Sequence, residues 1–520
     1  MLEAMNLVVI MDDEHNKKML GHAGHPQVKT PHLDRLAAAG TVFSNAYSSS
    51  PICVPARAAF ATGRHVHETG CWDNAIAYSG QPRSWAHVLR DAGHQVTSIG
   101  KLHYASGEVD GGFSEQIIPM HIEAGVGDLY GLIRDPLPTR HQSADLARRI
   151  GPGESSYTRY DRDITAKTVQ WLKAEGRARR DKPWVLFTSF IAPHSPLIAP
   201  PEYFALYPPA SVSLSTKKPA RYHPWIQAWN DCYGFDGYFE SDEQRRIAVA
   251  SYYGLCTFLD ANVGHILKAL EDTGLNQRTR VVFLSDHGDN LGSRALWGKS
   301  TMYEESAGVP MMMAGPGIAA GRRVATPVSH VDAYPTVLQA VGAQGADAPG
   351  LRGQSLFDIA AAPDDAQRHV LSEYHAAGSL SAAYMLRQGR HKYIHYTGFE
   401  PELFDLQADP EEMNDLAPLA QSAPLREHFQ TLLHSICDPQ ATDARAKADQ
   451  AQLIARHGGP EAILQRGGRS YTPIPGGAAP LLPRPPGGPR PQTRRCQGRA
   501  SRSAARRSMP SRRSSPGMAG

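Results

Sequence analysis

The chain has 520 residues, 41% of them hydrophobic and 20% charged, the make-up of an ordinary folded protein, which excludes a disordered or fibrous one. Its net charge of +3 is unevenly spread. Residues 480–520 hold ten Arg and no Asp, Glu or Lys, leaving 44 basic against 51 acidic residues before them, about −7, which excludes a nucleic-acid-binding body.

In chain order, Asn6–Met11 (NLVVIM) is a nearly continuous apolar run rich in β-branched residues, as expected of a strand buried on both faces of a parallel sheet. It leads straight into Asp12, Asp13, Glu14 and His15. Pro31–Gly40 has helical periodicity. Trp184–Phe187 predicts a second buried strand that runs on toward Pro193 and His194. Ala248, Tyr252, Leu255, Leu259, Val263 and Ile266 recur at three- and four-residue steps, predicting a helix over Ile247–Glu271. Val281–Leu284 is a third strand, ending in Ser285, Asp286, His287, Gly288 and Asp289. Acidic or imidazole groups thus follow the carboxyl end of each strand, the edge where open α/β sheets bind ligands.

After about residue 365 the texture changes. Ala382–Gln388, the turn Gly389-Arg390 and His391–Tyr396 predict a hairpin, followed by a short run Leu403–Leu406 and a helix over Leu425–Ile436. The expected division is 1–365, a catalytic α/β domain; 366–477, a smaller α+β subdomain; and 478–520, a tail rich in Pro, Gly, Ser and Arg that cannot supply a core. The tail reads as a frame-shifted or extended end, or as a basic arm. There is no internal repeat. No apolar run reaches the ~18 residues of a membrane span, and Met1–Leu7 lacks a basic region followed by an apolar one, so the expectation is a cytoplasmic protein without a membrane partner.

The six cysteines show no metal spacing and no disulfide framework, so a special cysteine must act alone. Cys53 is the candidate. It opens Cys53-Val54-Pro55-Ala56-Arg57, followed by an Ala/Phe run and Thr62-Gly63. Gly93–His103 (GHQVTSIGKLH), Pro193-His194, Asp286-His287 and Trp297-Gly298-Lys299 follow in order. In these motifs and their order, over roughly residues 6–477, the chain resembles the type I sulfatases of the alkaline phosphatase superfamily. The resemblance implies an alkaline phosphatase-like α/β sandwich: a large, mostly parallel central sheet flanked by helices, with a C-terminal α+β subdomain. It also implies that Cys53 is oxidised to formylglycine by a formylglycine-generating or anaerobic maturation enzyme.

By the same resemblance, Asp13 and Glu14 fall on metal-ligand positions with Cys53, Asp286 and His287, and Asp12 is left as a solvated neighbour. Relatives often have a second Asp at position 14 and Asn at position 287, so the coordination number is open. Oxygen donors favour Ca²⁺, the first choice, or Mg²⁺; an imidazole donor would admit Mn²⁺ or Zn²⁺. Arg57 is expected to hold the nucleophile, His103 to act as base, and Lys101 and Lys299 to bind sulfate oxygens. His194 or Lys299 would protonate the leaving alkoxide. His22, His25, His65 and His67 are expected at the surface or capping turns.

Trp72-Asp73-Asn74-Ala75 with Tyr78 is similar to choline sulfatases, which makes Asn74 a substrate-binding candidate; a turn with Asn74 in the left-handed conformation is the alternative. Trp72, Trp225 and Trp229 are available, but no aromatic cage is identifiable. The expected function is hydrolysis of a small-molecule sulfate monoester. Alternatives are phosphonate monoester or phosphodiester hydrolysis at the same site, and a non-catalytic binding protein on the same fold. A homo-oligomer is possible.

Overall fold

The computed structural model describes residues 2–476 apart from 220, 346–349 and 469–470. The tail predicted from 478 onward lies outside the described residues. Eight strands form the main sheet: β1 (Asn6–Asp13), β2 (Gly40–Phe43), β3 (Val96–Lys101), β4 (Glu115–Met120), β5 (Val185–Pro193), β6 (Thr279–Ser285), β7 (Met311–Ala314) and β8 (Arg322–Val324). Their order is β8-β2-β7-β6-β1-β5-β3-β4. Only β7 runs antiparallel to its neighbours.

Strand β1 sits near the middle and is buried throughout. Its alternation divides the core. Val8 and Ile10 enter one apolar layer with Leu33, Ile164 and Leu255, while Leu7, Val9 and Met11 enter the other with Phe60, Trp85 and Leu338. Helices α1 (Pro31–Ala38), α2 (Cys53–Thr62), α3 (Trp85–Asp91), α4 (Ser156–Lys173), α5 (Asp242–Asp272) and α6 (Ala333–Ala340) cover the two faces. The predicted periodic stripe lies within α5, and all six of its residues are buried.

A second, antiparallel sheet comprises β9 (His369–Tyr374), β10 (Ala383–Gln388), β11 (His391–Tyr396) and β12 (Glu402–Asp405), in sequential order. The predicted hairpin is β10–β11, and Gly389 turns between them with φ +55°. Helix α7 (Ala423–Ile436) covers this sheet. Two further helices, α8 (Pro439–Arg456) and α9 (Gly459–Arg466), return to the main body. Trp72 Nε1 donates to Asp449 Oδ2 at 2.8 Å, and Ile463 of α9 packs with Ala75, Leu129 and Leu132. The periodicity argument does not find these two helices because their apolar residues are mostly Ala and form no buried stripe: α8 buries only Pro439, Thr442, Asp443, Ala446 and Gln450.

The fold is the expected sandwich with a small C-terminal α+β part. Among the described residues, no helix is long and apolar enough to cross a membrane.

Candidate active site

Parallel pairing brings the carboxyl ends of β1, β3, β5 and β6 to one edge of the sheet. Asp12 lies opposite Ser285 and Asp13 opposite Pro193, so Asp13, Asp286 and His194 converge where strands end. Gly100 lets β3 reach the same place: at φ +100°, a Cβ there would sit 2.2 Å from the Ser189 carbonyl oxygen. Lys101 follows at once.

Cys53 is the first residue of α2, and Arg57 stands one turn on, facing the same way. The start of α2 has no side-chain cap of its own. Asn74 supplies one from a distance, its Oδ1 accepting the Val54 N–H at 3.1 Å. Asn74 is not among the left-handed residues, so the turn alternative is corrected: the residue braces the helix that carries Cys53 and also lines the cavity.

The side chains close tightly around the Cys53 sulfur. His287 Nε2 is 3.2 Å away, Lys299 Nζ 3.4 Å and Asp13 Oδ1 3.7 Å. Arg57 is 2% exposed. It donates to Asp286 Oδ2 (2.8 Å), Asp13 Oδ2 (3.0 Å), Ser189 Oγ (2.8 Å) and the Lys101 carbonyl (3.0 Å). Lys101 Nζ also donates to Asp13. Lys299 Nζ lies 3.1 Å from Glu14 Oε2 and 2.8 Å from His194 Nε2. His194 Nδ1 meets the Ser195 carbonyl at 2.6 Å, so Nδ1 carries the proton and Nε2 accepts from the ammonium.

Burial alone would raise the Asp13 carboxyl, but the neighbouring cations, Lys101 foremost and then Arg57, outweigh it and hold it well below its ordinary range. Glu14 is lowered in the same way, burial being outweighed chiefly by Lys299. For His103, burial and the cations Lys101 and Arg57 act together to keep the imidazole neutral.

The donors fit a divalent cation. Atoms of Asp13, Cys53, Asp286 and His287 lie within 4.8 Å of one another. The His287 Nδ1 is engaged by the Gly288 carbonyl at 3.1 Å, which leaves the Nε2 lone pair facing this cluster. Glu14 groups instead with Asp13 and His194, its carboxylate on Lys299.

Asp12 is corrected. It is fully buried rather than solvated, because β1 continues through Asp13 and its side chain meets His15 Nδ1 at 2.5 Å, away from the cluster. The four histidines expected at the surface or capping turns, His22, His25, His65 and His67, are half-buried: His25 Nδ1 accepts the Gln27 and Val28 amides at 3.1 and 2.9 Å, a turn cap, and His67 pairs with Glu373.

The cavity at this edge has a volume of about 490 Å³. Tyr157, Trp229, Tyr233, Arg140, Tyr471 and Thr472 are among its walls, together with Lys101, His103, His194 and Lys299. Trp72 and Trp225 do not line it. Sequence reasoning missed Ser189, Tyr157, Arg140 and Thr472, none of which sits in a motif; Ser189 lies in the continuation of a predicted strand, but its place opposite Gly100 comes only from the strand register.

Comparison with known proteins gives a consistent picture. The chain is 31% identical over 468 residues to a choline-sulfatase of Rhizobium meliloti (strain 1021), covering 86% of this chain and 90% of that protein. It is also 31% identical over 479 residues to arylsulfatase K of Danio rerio, covering 86% and 87%. Among solved structures, the phosphonate monoester hydrolase of Agrobacterium radiobacter shares the fold, with a TM-score of 0.67 at 22% identity, over 83% of this chain and 95% of that one. Residues 292–438 match the model of the N-sulphoglucosamine sulphohydrolase C-terminal region. With residues 5–343 matching the sulfatase model, the chain belongs to the sulfatase family.

Proposed function

We propose that the protein hydrolyses a sulfate monoester to an alcohol and inorganic sulfate, with Cys53 carried as formylglycine and one divalent cation, calcium first, at Asp13, Asp286, His287 and residue 53, Glu14 standing beside them on Lys299. The observation that carries this reading is the convergence of His287, Asp13 and Lys299 on the atom borne by residue 53, with Arg57 paired to Asp13 behind them. An ordinary buried cysteine has no need of two carboxylates, an imidazole and two cations around it.

When present, the cation neutralises sulfate oxygens and the hydrated aldehyde brings an oxygen nucleophile with a second hydroxyl through which sulfate is shed. The chain's own residues do the rest. Lys101 and Lys299 hold sulfate oxygens in a site where a point charge is worth more than in water. Arg57, locked by two carboxylates and Ser189, fixes residue 53 against the ligand cluster. His103, kept neutral, takes a proton. His194 and Lys299 share a hydrogen bond, so they form one proton-carrying pair at the leaving oxygen. Asn74 contacts the alcohol portion from the cavity wall.

The reading takes residues 1–365 as the catalytic unit and 366–477 as the subdomain, in a cytoplasmic protein matured by a formylglycine-forming enzyme. The test is kcat/KM on aryl sulfate, alkyl sulfate including choline sulfate, phosphodiester and phosphonate monoester. The expected result is preference for sulfate esters by orders of magnitude. Preference for the phosphorus compounds on that scale would make the protein a phosphonate or phosphodiester hydrolase, and inactivity on all of them with Cys53 converted would leave a binding protein.

A further inference from the structure

His103 follows β3 with a left-handed backbone, φ +59°, and is 3% exposed. The hydrogen bond its ring makes goes to Thr472, whose Oγ1 lies 2.9 Å from Nε2 and 369 residues further along the chain. Nδ1 is buried and has no partner among the described residues.

Thr472 is held in place independently of His103. Its carbonyl accepts from the Tyr157 hydroxyl at 2.6 Å. The adjacent Tyr471 stands edge-on to Tyr157 with ring centroids 5.6 Å apart, and the Arg149 guanidinium lies 4.6 Å from the Tyr471 ring centre. Tyr471 and Ile474 pack against the apolar layer beneath α4 and α5. Tyr157 in turn faces His194 at 5.9 Å, so this short segment is one wall of the cavity.

A neutral imidazole carries one proton, and a base must present a fixed lone pair. Two arrangements satisfy the bond to Thr472. Nδ1 is unpartnered among the described residues either way, but if the hydroxyl donated to Nε2, Nδ1 would carry a buried hydrogen with no acceptor, a costlier orphan than an unfilled lone pair. If Nε2–H donates to the hydroxyl oxygen, Nδ1 keeps its lone pair. We infer that Thr472 is a positioning residue of the active site, its hydroxyl oxygen accepting the Nε2 proton of His103 so that Nδ1 is the nitrogen free to take a proton. The kinetic part of this inference rests on the sulfatase reading; the tautomer part does not.

The test compares Thr472→Val, which keeps shape and removes the acceptor, with Thr472→Ser in the full chain bearing converted Cys53. In Thr472→Val, kcat for an aryl sulfate should fall about tenfold, since a misaligned base forfeits part of the ~10²–10⁴-fold that proton transfer supplies. KM should stay within about twofold and the melting temperature should not move, while Thr472→Ser should recover most of kcat. Two-bond ¹H–¹⁵N spectra, with His103 assigned from the signal lost in His103→Gln, should show a neutral ring protonated on Nε2 in the wild type and a mixture of tautomers in Thr472→Val. Unchanged kcat in Thr472→Val, a Ser variant as slow as the Val variant, or a wild-type His103 protonated on Nδ1 would each overturn the inference. A wild type that hydrolyses no sulfate ester, yet shows the expected tautomer and loses it in Thr472→Val, would support the positioning and sink the sulfatase reading instead.

Discussion

Arg57 makes four hydrogen bonds through three nitrogens, two of them to carboxylates of the ligand cluster. Replacing it with Ala leaves Asp13 and Asp286 buried side by side with less compensation. We expect kcat/KM to fall by about 10³-fold and stability to fall by about 3–5 kcal/mol, read by steady-state kinetics and chemical denaturation. Loss of activity with full stability would place Arg57 outside the buried ion network. At the leaving oxygen, His194→Gln should depress kcat on alkyl sulfates by about 10²-fold and leave nitrophenyl sulfate, whose leaving group needs no proton, nearly unchanged; equal losses on both would remove the His194–Lys299 pair from leaving-group protonation. That Cys53, Arg57, Lys101 and Lys299 come together was legible because they sit in ordered motifs. The burial of Asp12 was not legible because strand alternation says only that neighbours diverge, and its pairing with His15 follows from the fold.

Among the elements, the small sheet carries a buried carboxyl with a measurable signature. Glu402 on β12 accepts from the Tyr396 hydroxyl at 2.7 Å and the Tyr303 hydroxyl at 3.1 Å. Burial raises its pKa to about 7 despite those bonds. The folded state therefore keeps a proton that the unfolded chain, near 4.5, gives up. This contribution to stability is full below the unfolded value and is lost as pH rises through the folded one. Glu402→Gln should flatten the decline between about pH 4.5 and 7 in denaturant titrations; an unchanged slope would show that Glu402 is already ionised. The main strands and α5 were readable because each has a single strong period. Helices α8 and α9 were not, since their contacts with Trp72, Ala75 and Leu129 are polar or few and leave no stripe. The same holds for Thr472: a hydrogen bond between distant segments leaves no local trace.

For the molecule as a whole, the sheet edge gathers anionic ligands and their cationic partners from residues 13 to 299 into one cluster, so metal, stability and activity should be linked. Dialysis against a chelator should abolish sulfate ester hydrolysis and lower the melting temperature, and adding back Ca²⁺, with Mg²⁺ or Mn²⁺ as weaker substitutes, should restore both. A saturating cation at a hundred times its Kd should add about 2.7 kcal/mol. Full activity after exhaustive chelation would remove the cation from the account. The fold and the carboxyl edge of the sheet were legible in the order of motifs, whereas the cavity walls come from segments scattered along the chain, Arg140, Tyr157, Trp229 and Thr472 among them. Everything in the chemistry depends on what residue 53 has become. Mass analysis of the peptide containing Cys53, from protein purified from its natural host and measured alongside its specific activity, tests this most directly. The account predicts a peptide lighter than the cysteine form by the change from thiol to aldehyde, in a fraction that rises in step with activity; an intact thiol throughout fully active protein would contradict it.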